Sequence, residues 1–315
     1  MTAAGFPLRG VRLHPRRNGA GPLRGPVGGQ DGLLIVGHGS ACSVSAEEMD
    51  HIAALVSRER PDLVVGLGYL ELCEPPAGRI LDALVESGCR RITVMPLQLF
   101  AAGHAKNDVP AIVLEGRARH PGVELGFAGP LGVSRALVAM AGERLGAAGA
   151  DGLPLLVIAR GTSDPDANSE AYRAARLTAE WSGAPSVHTA FTGVTWPRVP
   201  HVLSDMERLG IDRAAVLFWF LCHGKLIERA REEIAGHRAT TGADLVDAGY
   251  FGPDPALAGL VLERRDESLS GVANQNCDTC GYRAPFPGLD DRVGQPLGVG
   301  HSHLAVEHRG HHHHH

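Results

Sequence analysis

From residue 31 to residue 268, short apolar runs alternate with longer amphipathic ones. Apolar runs of about five residues, each followed by a helical pattern of a dozen or more, predict βαβ units around a mostly parallel sheet. In the first half the expected strands are Leu33–Gly37, Leu63–Tyr69, Ile92–Met95 and Val123–Phe127, with helices near 45–60, 76–88, 107–120 and 133–148. The second half repeats the rhythm, with strands expected at Leu155–Ala159, Ser186–Thr192, Ala214–Phe220 and Asp244–Ala248.

The halves align at an offset of 122 residues. Leu-Leu-Ile-Val-Gly-His-Gly-Ser at 33–40 lies over Leu-Leu-Val-Ile-Ala-Arg-Gly-Thr at 155–162, Tyr69 over Phe191, Pro75 over Pro197 and Gly88 over Gly210. Such a register reads as duplication of one α/β lobe. The expected organisation is a disordered tail at 1–30, lobes at 31–150 and 151–268, and a Cys/His-rich tail at 269–315. Two lobes leave a cleft, and open α/β sheets bind ligands beyond the carboxyl ends of their strands.

Composition narrows the function classes. The chain has 315 residues, 44% hydrophobic and 21% charged, which describes a globular protein. A net charge of −5 gives no electrostatic case for a nucleic-acid partner. No apolar run approaches the ~20 residues of a spanning helix, so no membrane partner is expected. Six cysteines in a chain of this length fit a reducing cytoplasm rather than a disulfide scaffold. Residues 1–30 hold seven Gly, four Pro and five Arg, and no apolar segment of the kind a secretory signal needs.

The copies differ where chemistry is expected. The first has His38 and Glu71 where the second has Arg160 and Gly193; Gly-His-Ala-Lys-Asn-Asp at 103–108 faces Gly-Lys-Leu-Ile-Glu-Arg at 224–229. His38, Glu71 and His104 each follow a predicted strand and are spaced 33 residues apart, about one βα unit. Two imidazoles and a carboxylate suit a divalent first-row metal with positions left open for substrate. A histidine in a turn also serves as a helix cap or a surface residue, and Glu71 as an ion-pair partner; the residues alone leave these readings open. Asp108 either orients His104 or caps the next helix.

Ile-Val-Gly-His-Gly-Ser, Gly-Tyr-Leu-Glu-Leu-Cys-Glu-Pro-Pro and Pro-Leu-Gln-Leu-Phe-Ala-Ala-Gly-His-Ala-Lys-Asn-Asp-Val-Pro resemble the sirohydrochlorin chelatase family of class II chelatases, over about 31–268. The resemblance implies two tandem, duplicated chelatase-like lobes. It also implies a metal chelatase, a lyase that inserts a divalent metal, Co²⁺ ahead of Fe²⁺, into sirohydrochlorin for cobalamin or siroheme synthesis. Its substrates would be the metal and a tetrapyrrole bearing carboxylates. On the matching positions it implies that His38, His104 and Glu71 hold the metal or handle pyrrole protons. His104 is then the leading base and a ligand, His38 a ligand and second base, and Glu71 a ligand or proton relay. Arg160, Lys106 and Lys225 are candidate partners for substrate carboxylates. A metal-binding or delivery protein without catalysis is the rival reading; a methyl migration on a precorrin is a third.

Cys277-Asp-Thr-Cys280 has metal-ligand spacing. Longer family members carry Met-x-Cys-x-x-Cys and an iron–sulfur cluster; here Gln275 stands at the Met position, and a zinc knuckle or redox pair competes with the cluster. The run from Asn276 through Gly288 resembles the tail of actinobacterial-type members. One pair supplies two thiolates, so a complete site would be bridged between subunits of a homodimer. Cys42 and Cys73 are expected near the three-residue site. His301, His303, His308, His311, His312, His313, His314 and His315 read as a native tract for metal storage or delivery, with an appended tag or a solvated tail as rivals.

Overall fold

The computed structural model describes the backbone of Leu13–His14, residues 30–272, Cys280, Tyr282 and residues 290–295. The first half builds strands β1 (Leu13–His14), β2 (Gln30–Gly37), β3 (Val64–Tyr69), β4 (Cys89–Pro96) and β5 (Glu124–Phe127). They pair in the order β1-β3-β2-β4-β5, parallel apart from β1. The second half builds β6 (Leu155–Ala159), β7 (Val187–Phe191), β8 (Arg213–Phe218) and β9 (Asp244–Asp247). Their order, β7-β6-β8-β9, is that of β3-β2-β4-β5, and all are parallel. The α/β architecture with two duplicated lobes read from the sequence is what the chain forms.

The helices are α1 (Ser43–Glu59), α2 (Ala77–Glu86), α3 (Val109–Arg119), α4 (Arg135–Ala147), α5 (Pro165–Ser182), α6 (Val199–Arg208), α7 (Lys225–Thr241) and α8 (Pro255–Leu269). Local chemistry sets several starts. Ser134 Oγ accepts from Leu137 N, Asp164 from Asp166 N and Asp254 from Ala256 N, the last two followed by Pro at the first helical position. No helix among the described residues is long and apolar enough to cross a membrane.

Several boundaries differ from the sequence reading by one to three residues, and two are informative. β4 begins at Cys89 rather than Ile92, because charged Arg91 joins the ladder. Its guanidinium forks onto Asp31 of β2, Nε to Oδ1 at 3.1 Å and Nη2 to Oδ2 at 2.6 Å. The helix expected from 107 is preceded by a π-type turn, His104–Asp108. Within 1–30, where no regular structure was expected, Leu13–His14 pair antiparallel with β3.

Alternation along the strands sorts the core into layers. Leu33 and Ile35 of β2 face a central core with α1, α4, α5, α8 and the inner residues of β6, Leu155 and Val157. Leu34 and Val36 face α2 and α3 on one outer side, and Leu156 and Ile158 face α6 and α7 on the other. The two sheets therefore share one central layer of four helices. The last helix of each half crosses over: α4 packs on α5 and β8, and α8 on α1, β4 and β5. Polar contacts fix the exchange, with Arg265 Nη2 on Asp31 Oδ2 at 2.8 Å and Ser268 Oγ donating to Phe127 O at 2.9 Å.

Candidate active site

The three predicted residues meet at the carboxyl edge of the first sheet. β2 and β3 run in register to Gly37 and Tyr69, and β2 and β4 to Val36 and Pro96. β2 is flanked by β3 and β4, so the chain leaves it in both directions, which opens a crevice at the strand ends. Backbone bonds then zip the first two loops: Leu70 N donates to Gly37 O at 3.0 Å and Glu71 N to His38 O at 3.1 Å. Ser40 N donates to Cys73 Sγ at 3.2 Å, and that thiol donates to Ser40 O at 3.0 Å. Cys73 thus lies beside the site, as expected. Gly39, at φ +97°, makes the zip feasible, since a Cβ there would lie 1.7 Å from Glu71 O.

The resulting side-chain cluster has the geometry of a metal-coordinating set. Ligand atoms of His38, Glu71 and His104 all lie within 4.8 Å of one another. The imidazoles meet edge to face, centroids 4.5 Å apart at 69°. Glu71 Oε1 lies 3.1 Å from His38 Nδ1, yet off the hydrogen-bonding direction, so both buried His38 nitrogens lack a hydrogen-bond partner among the described residues. Buried nitrogens without a hydrogen bond are costly, and coordinating a cation would offset that cost. Burial, then the Arg160 charge and the neighbouring His104 imidazole, lower the His38 pKa to about 4 against the pull of Glu71. His38 is therefore a neutral imidazole at physiological pH, which is the ligating form.

His104 is held differently. Its Nδ1 lies 2.8 Å from Asp108 Oδ2, four residues on, and the carboxylate is buried. Asp108 makes no side-chain capping bond to α3, which decides between the two roles left open for it. A carboxylate accepting Nδ1–H fixes the tautomer, with the proton on Nδ1 and the lone pair on Nε2. The second half cannot repeat the cluster. Gly193 occupies the Glu71 position, and a Cβ there would fall 2.4 Å from Arg160 O.

The predicted cations separate. Arg160, exposed and from the second half, lies near enough to His38 and Glu71 to act on the one and to feel the charge of the other. Lys106, expected to meet a substrate carboxylate, is engaged with two carboxylates of the protein itself. Its Nζ is buried between Asp164 Oδ2 at 2.9 Å and Asp166 Oδ2 at 2.8 Å, tying the π-type turn to α5. Burial alone would lower its pKa; the two carboxylates outweigh that and raise it. Lys225 is exposed at the start of α7 and has no ion-pair partner among the described residues. Cys280 is buried, while Cys277 and the histidines at 301, 303, 308 and 311–315 lie outside the described residues. The sequence reading missed His223, Glu48 and the Asp164–Asp166 pair, all on loops or helices that reach the same edge. Cys-His-Gly-Lys at 222–225, directly after β8, is the signal that could have flagged His223.

Comparison with known proteins settles the lineage. The CbiX family model matches residues 32–148 and again 154–268, one match per lobe. The chain belongs to the CbiX family. It is 32% identical to a sirohydrochlorin cobaltochelatase of Priestia megaterium, over 80% of this chain and 84% of that one. A sirohydrochlorin ferrochelatase of the same organism is 28% identical over 78% of this chain and 93% of its own length. The solved structure of SirB from Bacillus subtilis with Fe³⁺ superposes with a TM-score of 0.69 at 26% identity, covering 76% of this chain and 95% of that one. Each lobe of this chain is thus a CbiX unit, and the names of the relatives include both a cobaltochelatase and a ferrochelatase.

Proposed function

We propose that this CbiX chain is a sirohydrochlorin chelatase that inserts a divalent metal into the macrocycle, with Co²⁺ as the preferred metal ahead of Fe²⁺. The observation that carries the reading is the His38–Glu71–His104 cluster, whose ligand atoms all lie within 4.8 Å of one another. The names of the relatives support the reaction, and the relative of higher identity among those two P. megaterium enzymes is the cobaltochelatase.

The residues divide the work. Insertion must move a metal from protein ligands to four pyrrole nitrogens and remove two N–H protons. Neutral nitrogen and carboxylate ligands hold a divalent ion loosely enough to release it, unlike a full thiolate set. His38, lowered to about 4, is a ligand and a poor base at neutral pH. His104 is the leading base: Asp108 keeps the Nδ1 proton, leaves Nε2 as the basic nitrogen and sits beside the charge that forms when Nε2 takes a proton. Glu71 completes the ligand set and relays the second proton. Arg160 is the partner for a substrate carboxylate, with Lys225 further out.

Anaerobic absorbance spectroscopy of sirohydrochlorin with Co²⁺ or Fe²⁺ tests this. Conversion faster than in the protein-free mixture is the expected result, with Co²⁺ the better metal. Metal binding without acceleration would replace the reading with that of a delivery protein.

A further inference from the structure

A second group of reactive side chains joins the two halves beside this site. Cys42 is the N-cap residue of α1, four positions after His38, and is partly exposed. Its Sγ lies 3.8 Å from Nδ1 of His223, a residue 181 positions away on the loop after β8. Nε2 of His223 lies 2.8 Å from Glu228 Oε1. A carboxylate accepting Nε2–H leaves the Nδ1 lone pair aimed at the thiol, the order of nucleophile, base and orienting group found in activated thiols. The base is held in place: His223 N donates to Glu48 Oε2 at 2.7 Å, and Tyr250 OH donates to Glu48 Oε1 at 2.7 Å. The hydrogen bond to His223, with the amides of Ser45 and Val44 on the first turn of α1, draws the thiol below its ordinary pKa, and the same bond raises the imidazole.

The other described cysteines lack this combination. Cys222 is buried beside Glu48, and burial pushes its thiol up. Cys89 and Cys280 are buried, and Cys73 Sγ is engaged with Ser40. We propose that Cys42 is a nucleophilic thiol, with His223 as its base and Glu228 as the orienting group, and that it is a site of reversible S-thiolation by low-molecular-weight disulfides. His223 Nδ1 takes the thiol proton and Sγ attacks one sulfur of R–S–S–R. The Cys42–S–S–R bond forms, the old S–S bond breaks, and R–S⁻ leaves to take the proton back from His223. Excess thiol reverses the exchange. The adduct occupies the place where Sγ meets His223, so it breaks a link between the halves next to the loop that carries His38. None of this depends on the chelatase reading.

Sub-stoichiometric iodoacetamide followed by peptide mass spectrometry of the full chain tests it. Cys42 should be labelled about three- to tenfold faster at pH 7 than the same thiol in an unstructured peptide of residues 38–46, with a lower midpoint in its pH–rate profile. His223→Gln should return both values to those of the peptide. Glu228→Gln changes only an exposed side chain and should raise the midpoint in a protein whose circular dichroism is unchanged. Glutathione disulfide should add one glutathione mass at Cys42, removed by dithiothreitol. A Cys42 rate equal to that of the peptide, a midpoint unmoved in the folded Glu228→Gln protein, or glutathione added elsewhere while Cys42 stays free would overturn the proposal.

Discussion

His104 Nδ1 and Asp108 Oδ2 lie 2.8 Å apart, one turn along the π-type segment, with the carboxylate shut away from solvent. The contact fixes the tautomer of a residue that would otherwise sample two, and under the proposed function it makes His104 a directional base. Asp108→Asn keeps the shape and removes the acceptor that fixes the Nδ1 proton. Metal affinity or kcat should fall about 10- to 100-fold, the usual cost of losing the carboxylate behind a ligating histidine. KM for the tetrapyrrole should hold. Anaerobic kinetics with a Co²⁺ titration check this.

His38 predicts a pH dependence of stability. The folded imidazole stays neutral down to about 4, whereas an unfolded chain takes the proton near the ordinary 6.5. Between those values the unfolded state binds more protons, so this group lowers stability as pH falls through the window. The metal-free urea midpoint should decline from pH 6.5 toward 4 more steeply than in His38→Gln. In the native protein, the His38 ring signal in NMR should titrate near 4.

Gly39 is where backbone geometry and site chemistry meet. Its φ of +97° and the 1.7 Å approach of an added Cβ to Glu71 O leave no room for alanine. Gly39→Ala should destabilise by about 1–3 kcal/mol. It should also weaken metal binding, because the loops of His38 and Glu71 must part. Thermal unfolding and metal titration read the two effects separately.

Lys106 should behave as a structural residue. Removing its charge leaves Asp164 and Asp166 buried without their cation, and breaking a buried pair of this kind costs about 3–5 kcal/mol. Lys106→Met should therefore lower the urea midpoint strongly while leaving KM of the folded fraction near the wild-type value. A raised KM at unchanged stability would return Lys106 to the substrate site.

The strands and the site histidines were legible because both are local signals. Leu33 to Val36 form a continuous apolar run that a two-faced parallel strand requires, and the duplication doubled each signal. His38 and Glu71 fall just past strand ends and His104 on the segment after the next strand, so counting along the sequence placed them on one edge. What stayed hidden depends on contacts between the halves. No local pattern says that Lys106 meets Asp164 and Asp166, that Cys42 meets His223, or that α4 and α8 change places. Burial decides these: Lys106 reads as a surface cation in sequence, and only packing against α5 shows its charge already spent. Arg91 misled in the opposite direction, its charge hiding a strand position whose partner Asp31 lies on the neighbouring strand.

The central claim is that His38, Glu71 and His104 act as one centre that holds the metal and takes the pyrrole protons. The most direct measurement is anaerobic turnover of sirohydrochlorin with Co²⁺ by His38→Ala, Glu71→Ala and His104→Ala, each checked for folding, beside the wild type and the protein-free reaction. The account predicts accelerated spectral conversion by the wild type, reduced at least about 100-fold in each variant, consistent with losing a base or a ligand. A folded His104→Ala protein that converts sirohydrochlorin at the wild-type rate would contradict it.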